Sequence, residues 1–411
     1  MLRKIIFLVT TFFLIIGLKL KDPISIDLNI AIPFLFTITY GLIYVVNNRF
    51  SISKILLILI SFSIPIIISF CISLTLNSSD SVDIINFAIK LILFSIFAFF
   101  ISKLYLKYYS SEILLLHINY SIVLHAIIII VFFLSPDLRN LFYEFSDVND
   151  LMLTQIGEFR IAGFSGGGGA LLSVLQSSGI ILSGYLLVKK QISFAYFLIS
   201  NILLIVSILL TGRTGIYVLV IFFPILYIVL HKFRFKINGA ILKRVFAFII
   251  ILFFVGILSL FLIPAEYYDF FMETSITRFL NTFQSKRNTF HIIFEMYFLP
   301  DLDRIQYLFG TSYFGRHPDH LLESDIGYIR VFYGAGIIGM LSIYLPYIYM
   351  LYLGFKYGFS KFNIPSYQLL FIFTSMILIL ELKESFIFAR HLLPLNLLLL
   401  FICSHEKKVI N

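Results

Sequence analysis

Four short segments concentrate the residue types that do chemistry. The first is Arg160-Ile161-Ala162-Gly163-Phe164-Ser165, followed by Gly166 to Gly169. A Gly run lets backbone approach a ligand closely and leaves N–H groups to face it. A helix starting just after that run turns its positive end toward an anion, and Arg160 adds a fixed charge. Taken alone, the segment reads equally as a hinge beside an interfacial Arg. The second is Leu210-Thr211-Gly212-Arg213-Thr214-Gly215. Here Arg213 stands between two apolar runs with almost no loop, so it must snorkel to solvent or face a polar cavity. The third runs from Gly310 to Gly339 and crowds Arg316, His317, Asp319, His320, Glu323 and Asp325 ahead of an apolar run. His317 or His320 titrates near neutrality and can take a proton; Asp325 or Glu323 can do so where desolvated. Each of these residues alone reads equally as part of a solvated loop. Pro318 interrupts His317, Asp319 and His320, and no distant ligand set matches them, so no metal is expected. The fourth is Glu381, Lys383, Glu384, Arg390 and His391. Five charged or titratable groups between two apolar runs are expected to pair with one another or to line a cavity.

The elements that position these residues follow from composition. Of the 411 residues 60% are hydrophobic and 13% charged, with 48 Phe. Soluble domains carry about 25% charge, and no soluble surface hides that much apolar area. The same numbers exclude disordered, fibrous and disulfide-stapled classes. The apolar runs far exceed the roughly 10 residues of a barrel strand, which leaves an all-α integral membrane protein. Runs of about 20 residues place twelve transmembrane helices near 3–20, 28–46, 55–76, 84–101, 112–135, 168–188, 194–212, 214–231, 245–264, 328–354, 366–382 and 386–403. No small-residue cleavage site follows the first run, and Lys19 and Lys21 do, so it is expected to remain as a helix. Two connections are long: a first outer loop over 136–167 and the main outer loop over 265–327, ahead of the tenth span. The main loop interleaves Arg278, Lys286, Arg287, Arg304 and Arg316 with aromatic and aliphatic residues, which suits short helices at a membrane interface. Cys71 and Cys403 fall near opposite faces and cannot pair.

Charge sets the orientation. With both termini cytoplasmic, the inner segments hold 17 basic and 2 acidic residues, and the outer segments 13 basic and 20 acidic; Lys90 lies inside a span. The reverse topology would invert this asymmetry against the positive-inside rule. The net charge of +9 is therefore a topology signal, and no nucleic-acid partner is expected. The inner loop over 231–244 suits anionic head groups of the bilayer.

Taken together, the outer segments resemble the O-antigen and capsular polysaccharide polymerases (Wzy-type), within the superfamily that includes the O-antigen ligases. The resemblance rests on Arg160-x-x-Gly163-Phe164 before a span and on the hairpin around Arg213. It rests also on the late outer loop ending in Asp325-x-Gly327-Tyr328, then Gly334-Ala335-Gly336-Ile337-Ile338-Gly339. Family members often carry a Pro-Asn pair where this chain has Gly166 to Gly169. The resemblance implies a GT-C-like helical bundle in the bacterial cytoplasmic membrane, without cofactor or metal. It implies a membrane glycosyltransferase working on an undecaprenyl-diphosphate-linked oligosaccharide, with a chain-length regulator as a further partner. The growing chain would pass from one lipid carrier to the next repeat unit, building O-antigen of lipopolysaccharide or capsule. Arg160, Arg213 and Arg316 would hold the diphosphate, with Arg278 and Arg287 in reserve, and His320 or Asp325 would act as base. A ligase would use the same residues. A lipid-linked oligosaccharide flippase would place charges well inside its spans, where this chain has only Lys90 and its other charges crowd the outer edge. A non-catalytic scaffold would not need Arg and His crowded at one face.

Overall fold

The computed structural model describes residues 2–21, 25–46, 52–77, 83–148, 160–165, 169–212, 214–232, 296–297, 302–314, 324–360, 363–387 and 389–410. These residues form helices and no strands; two isolated bridges, Lys19 with Asp27 and Leu20 with Ser146, are the sole β pairings among them. In chain order the helices are α1 (Leu2–Ile15), α2 (Leu28–Val46), α3 (Lys54–Asn77), α4 (Asp83–Tyr108), α5 (Ser111–Leu134), α6 (Pro136–Phe145), α7 (Ala170–Val188), α8 (Phe194–Thr211), α9 (Thr214–Lys232), α10 (Arg304–Phe309), α11 (Gly327–Gly358), α12 (Pro365–Leu380) and α13 (Leu392–Ile410). Six helices among the described residues are long and apolar enough to cross a membrane: α3, α4, α5, α7, α8 and α11. Shorter apolar stretches lie in α2, α9, α12 and α13. The span expected over 245–264 falls outside the described residues.

Local chemistry explains the helix ends. Ser110 and Ser193 cap α5 and α8 by accepting from the Ile113 and Tyr196 N–H groups. Asp303 and Gln306 close a capping box at the start of α10. Pro365 opens α12, where no N–H is needed.

Helix α7 lies deepest, between α5, α8 and α9. Its small and polar residues replace part of the hydrophobic drive that a bilayer does not supply. Gly179 O accepts from Asn119 Nδ2 at 2.9 Å, Ser177 Oγ donates to Gly215 O at 2.8 Å, and Ser183 Oγ donates to Asn201 Oδ1 at 2.7 Å. Such interhelical bonds contribute about 0.6–2 kcal/mol each. Helix α11 packs on α12, α3 and α10, and it is broken at Gly336 (φ 62°, ψ −175°). The break frees carbonyls that must be satisfied inside a membrane protein. The chain after α10 satisfies two of them: Thr311 N–H donates to Tyr333 O at 2.9 Å and Ser312 N–H to Gly334 O at 2.8 Å. Ser73 of α3 completes the joint by donating to Gly310 O at 3.1 Å.

The bundle has two chemically distinct ends. At one, Arg3 lies over the Tyr108 ring, and Tyr109, Glu112, Lys189, Asn363, His405 and Glu406 line one cavity. Helix α1 begins and α13 ends at this end. At the other, loop 160–165, the 212–214 hairpin, the 324–327 segment and the 381–391 turn come together.

Three boundaries differ from the hydropathy reading. The first span stops at Ile15 rather than residue 20, because Lys19, Leu20 and Asp27 bridge to one another and to Ser146. The last helix starts at Leu392 rather than 386, because Phe386 and Ile387 are spent in a buried turn. The loop from 136 opens with the ten-residue helix α6, polar on one side and exposing Leu138, Leu141 and Phe145 on the other, the pattern of an interfacial helix.

Candidate functional site

The Arg160 loop is fastened at several points. Ile161 N–H donates to Leu210 O at 2.9 Å, and Ala162 N–H donates to Tyr143 Oη at 3.1 Å. Phe164 N–H donates to Nε2 of the buried His125 at 3.1 Å. Because Nε2 accepts, the neutral ring carries its proton on Nδ1. The Gln176 amide nitrogen is placed 3.2 Å from Nδ1 while Gln176 Oε1 has no hydrogen-bond partner. Turning that amide over matches both groups. The turn itself needs Gly163 at φ +58°, where a Cβ would stand 2.6 Å from His125 Nε2. These anchors hold the exposed Arg160 beside the end of α8.

The hairpin between α8 and α9 packs on Gly169: a Cβ on Gly212 would come within 2.9 Å of the Gly169 carbonyl carbon. Gly215 N–H donates to Ser173 Oγ at 3.0 Å. Lys383 Nζ reaches across from the 381–391 turn and donates to Thr214 Oγ1 at 2.7 Å. Arg213, between these anchors, falls outside the described residues.

Glu384 is the meeting point of the cluster. Burial pushes its carboxyl above the usual range; Lys383 opposes that shift, Asp325 adds to it, and Arg330 and Arg160 oppose it. A second carboxylate and three cations, from four separate segments, thus act on Glu384 at one end of the bundle. Asp325 is held in place by its neighbour: Ser324 Oγ donates to Met296 O at 2.9 Å and accepts from Ile326 N–H at 3.2 Å. Arg330 is fixed by an Nε bond to Phe314 O at 2.8 Å.

Glu381 buttresses the cluster from below. Its Oε1 accepts from the N–H groups of Phe386 and Ile387, the latter at 2.6 Å, and its Oε2 accepts from Tyr344 Oη at 2.9 Å. Its carbonyl accepts from Gly327 N–H at 3.0 Å. Burial pushes its carboxyl up to about 7, against the pull of those hydrogen bonds. Nearby, the His391 ring donates from Nδ1 to Ile15 O at 2.9 Å, and Arg390 lies 3.7 Å from Asp27. Lys19 pairs with Asp147 and holds its carboxyl below the ordinary carboxylate value.

Of the residues the sequence singled out, Arg160, Asp325, Lys383 and Glu384 are brought together here. Arg213, Arg278, Arg287, Arg316, His317, Asp319, His320 and Glu323 lie outside the described residues. The 381–391 charges, expected to pair with one another or to line a cavity, do some of each: Lys383 acts on Glu384 and Arg390 lines a cavity. Glu381 is bound within the turn by the Phe386 and Ile387 N–H groups and from α11 by Tyr344, while Arg390 and His391 reach Asp27 and the Ile15 carbonyl. Arg330 was missed by the sequence reading. Its signal was a charge four residues inside an apolar helix, which is costly at membrane depth. Among the described residues no three His, Cys, Asp or Glu side chains gather as a metal set.

The arrangement can bind an anionic group through its cations and accept a proton at a carboxylate beside it. Comparison with family models, with characterised proteins and with solved structures finds no match.

Proposed function

We propose that this chain is a polysaccharide polymerase of the bacterial cytoplasmic membrane, with about twelve spans, both termini cytoplasmic and its site facing outward. The substrate is an oligosaccharide repeat unit on undecaprenyl diphosphate. The acceptor hydroxyl of one repeat unit attacks the anomeric carbon of the growing chain. The new C–O bond forms as the bond to the diphosphate breaks, undecaprenyl diphosphate leaves, and the hydroxyl proton passes to a carboxylate. One observation carries this reading: the Glu384 carboxyl is acted on by Asp325 and by the cations Lys383, Arg330 and Arg160. Fixed cations stabilise the charge that develops on a departing diphosphate. A carboxylate raised by burial is a better proton acceptor at neutral pH. The order of Arg160-x-x-Gly163-Phe164, the Gly212–Gly215 hairpin and Asp325-x-Gly327 along the chain supports the same class.

Glu384→Gln, Asp325→Asn and Arg160→Ala test it in cells that depend on this chain. General acid–base groups contribute roughly 10²–10⁴-fold, so loss of the base is expected to collapse the polysaccharide ladder to single repeat units held on the lipid. Wild-type ladders in all three variants, at equal protein level, would sink the reading. Normal polymer that fails only to reach its final acceptor would point to a ligase instead.

A further inference from the structure

Thr214 opens α9 and is buried, yet its side chain meets a charge from a distant part of the chain: Lys383 Nζ donates to its Oγ1 at 2.7 Å. The two residues stand 169 apart in sequence. The Thr214 end of that bond is fixed. Next to it, Gly215 N–H donates to Ser173 Oγ at 3.0 Å, and Gly215 O accepts from Ser177 Oγ at 2.8 Å. A Cβ on Gly215 would stand 2.5 Å from Ser173 O, so the start of α9 lies directly on α7. The Lys383 end is flexible by nature. A Lys ammonium is a point charge on a four-carbon stem, and it keeps one position only where acceptors hold it. That position matters because of the next residue. Burial raises the Glu384 carboxyl; of the groups that oppose burial Lys383 acts most strongly, ahead of Arg330 and Arg160, while Asp325 acts with burial.

We infer that Thr214 is a positioning residue: its hydroxyl tethers the Lys383 ammonium beside the Glu384 carboxyl, and so joins the hairpin between α8 and α9 to the cluster. The inference rests on the proposed function and deepens it, because that reading passes the acceptor's proton to a carboxylate here, and the tether governs how readily Glu384 is ionised to take it. Loss of the tether lets the ammonium drift, weakens its pull and leaves the carboxyl harder to ionise. Val has nearly the shape of Thr without the acceptor oxygen, and Ser keeps the oxygen without the methyl group. The two substitutions separate the hydrogen bond from the packing around it.

The full-length chain, purified in neutral detergent, is treated with dicyclohexylcarbodiimide at a series of pH values, and mass spectrometry reads adducts at positions 384 and 381. The reagent attacks a carboxyl in its protonated form, so the half-point in pH follows each titration without any polymer being made. Thr214→Val and Lys383→Gln are expected to move the half-point at 384 to higher pH, and Thr214→Ser to leave it in place. Glu381 is the control in the same turn: the cation acting on it is Arg330, so its half-point is expected to stay. Polymer formed from lipid-linked repeat units is followed over the same pH series. At the acid end Thr214→Val is expected to work about threefold more slowly than wild type or worse, with the gap closing as pH rises. A half-point at 384 that Thr214→Val leaves unmoved overturns the inference, and so does Thr214→Ser moving it as far as Thr214→Val. Half-points at 381 and 384 that move together report a loosened turn and also overturn it. If the half-point at 384 moves while the polymer profile does not, the tether stands and the reading of Glu384 as proton acceptor falls.

Discussion

Glu381 shows how a single residue can be essential to a site without doing its chemistry. Three donors point at its carboxylate, two from backbone and one from Tyr344, and none comes from a cation. Gln at 381 would face at least one of those donors with an NH₂ group, leaving a buried donor unmatched at a cost of about 1–3 kcal/mol. Glu381→Gln is therefore expected to lower the thermal midpoint in detergent. The same residue sets a pH dependence. Its folded-state value of about 7 lies above the ordinary 4.5. The folded chain thus binds this proton more tightly than the unfolded chain does. Its contribution to stability is full below about pH 4.5 and is lost as pH rises through 7. The wild type is expected to lose midpoint over that window more steeply than Glu381→Gln; parallel slopes would contradict the assignment. Arg160 and Asp325 were legible in the sequence because each is a charge in a Gly-bearing stretch next to a span. Glu384 was legible only as one charge of the last turn, and Arg330 was missed. Their action on one another joins positions 54 residues apart in the chain and depends on a Phe314 carbonyl that no spacing reveals.

Helices announce themselves by apolar runs, and eleven of the twelve expected spans coincide with helices among the described residues. What hydropathy cannot express is where an apolar run stops being helix. Residues 16–20 and Phe386-Ile387 continue apolar runs, yet the first leaves α1 as bridged chain and the second wraps Glu381. The motif from Gly334 to Gly339 stands in the sequence inside an expected span, and in the fold it holds a break at Gly336. Gly336 occupies a backbone region open in practice only to Gly, and a Cβ there would stand 2.4 Å from the Leu308 carbonyl carbon. Strain of about 1–3 kcal/mol adds to a backbone clash with no flexible side chain to yield. Gly336→Ala is expected to push α10 off α11 and to expose the Tyr333 and Gly334 carbonyls. Ile338→Ala, on the exposed face of the same helix, is expected to behave like wild type. Their midpoints and yields in detergent make the comparison, and equal values would mean that α10 does not depend on the break.

At the scale of the whole molecule the question is which end faces which compartment. Among the described residues the fold sorts the charges: Arg3, Lys103, Lys107 and Lys189 lie at one end with Glu112 and Glu406, and the mixed-charge segments of Arg160, Asp325, Lys383 and Glu384 at the other. Basic loops resist translocation, so the first end should be cytoplasmic. This orientation decides the function as well, because a lipid-linked glycan is polymerised only on the side to which it has been delivered. Cys71 is exposed and Cys403 buried, so Cys71→Ser provides a background without a reactive surface thiol. On it, Asp137→Cys and Arg304→Cys mark the mixed-charge end, and Lys107→Cys and Lys190→Cys mark the basic end; all four positions are exposed. A membrane-impermeant maleimide added to intact cells is expected to label positions 137 and 304 at once, and 107 and 190 only after permeabilisation. The inverse pattern would turn the Arg160–Glu384 cluster toward the cytoplasm and remove the polymerase reading. Labelling of 137 and 304 from different sides would break the two-ended bundle itself.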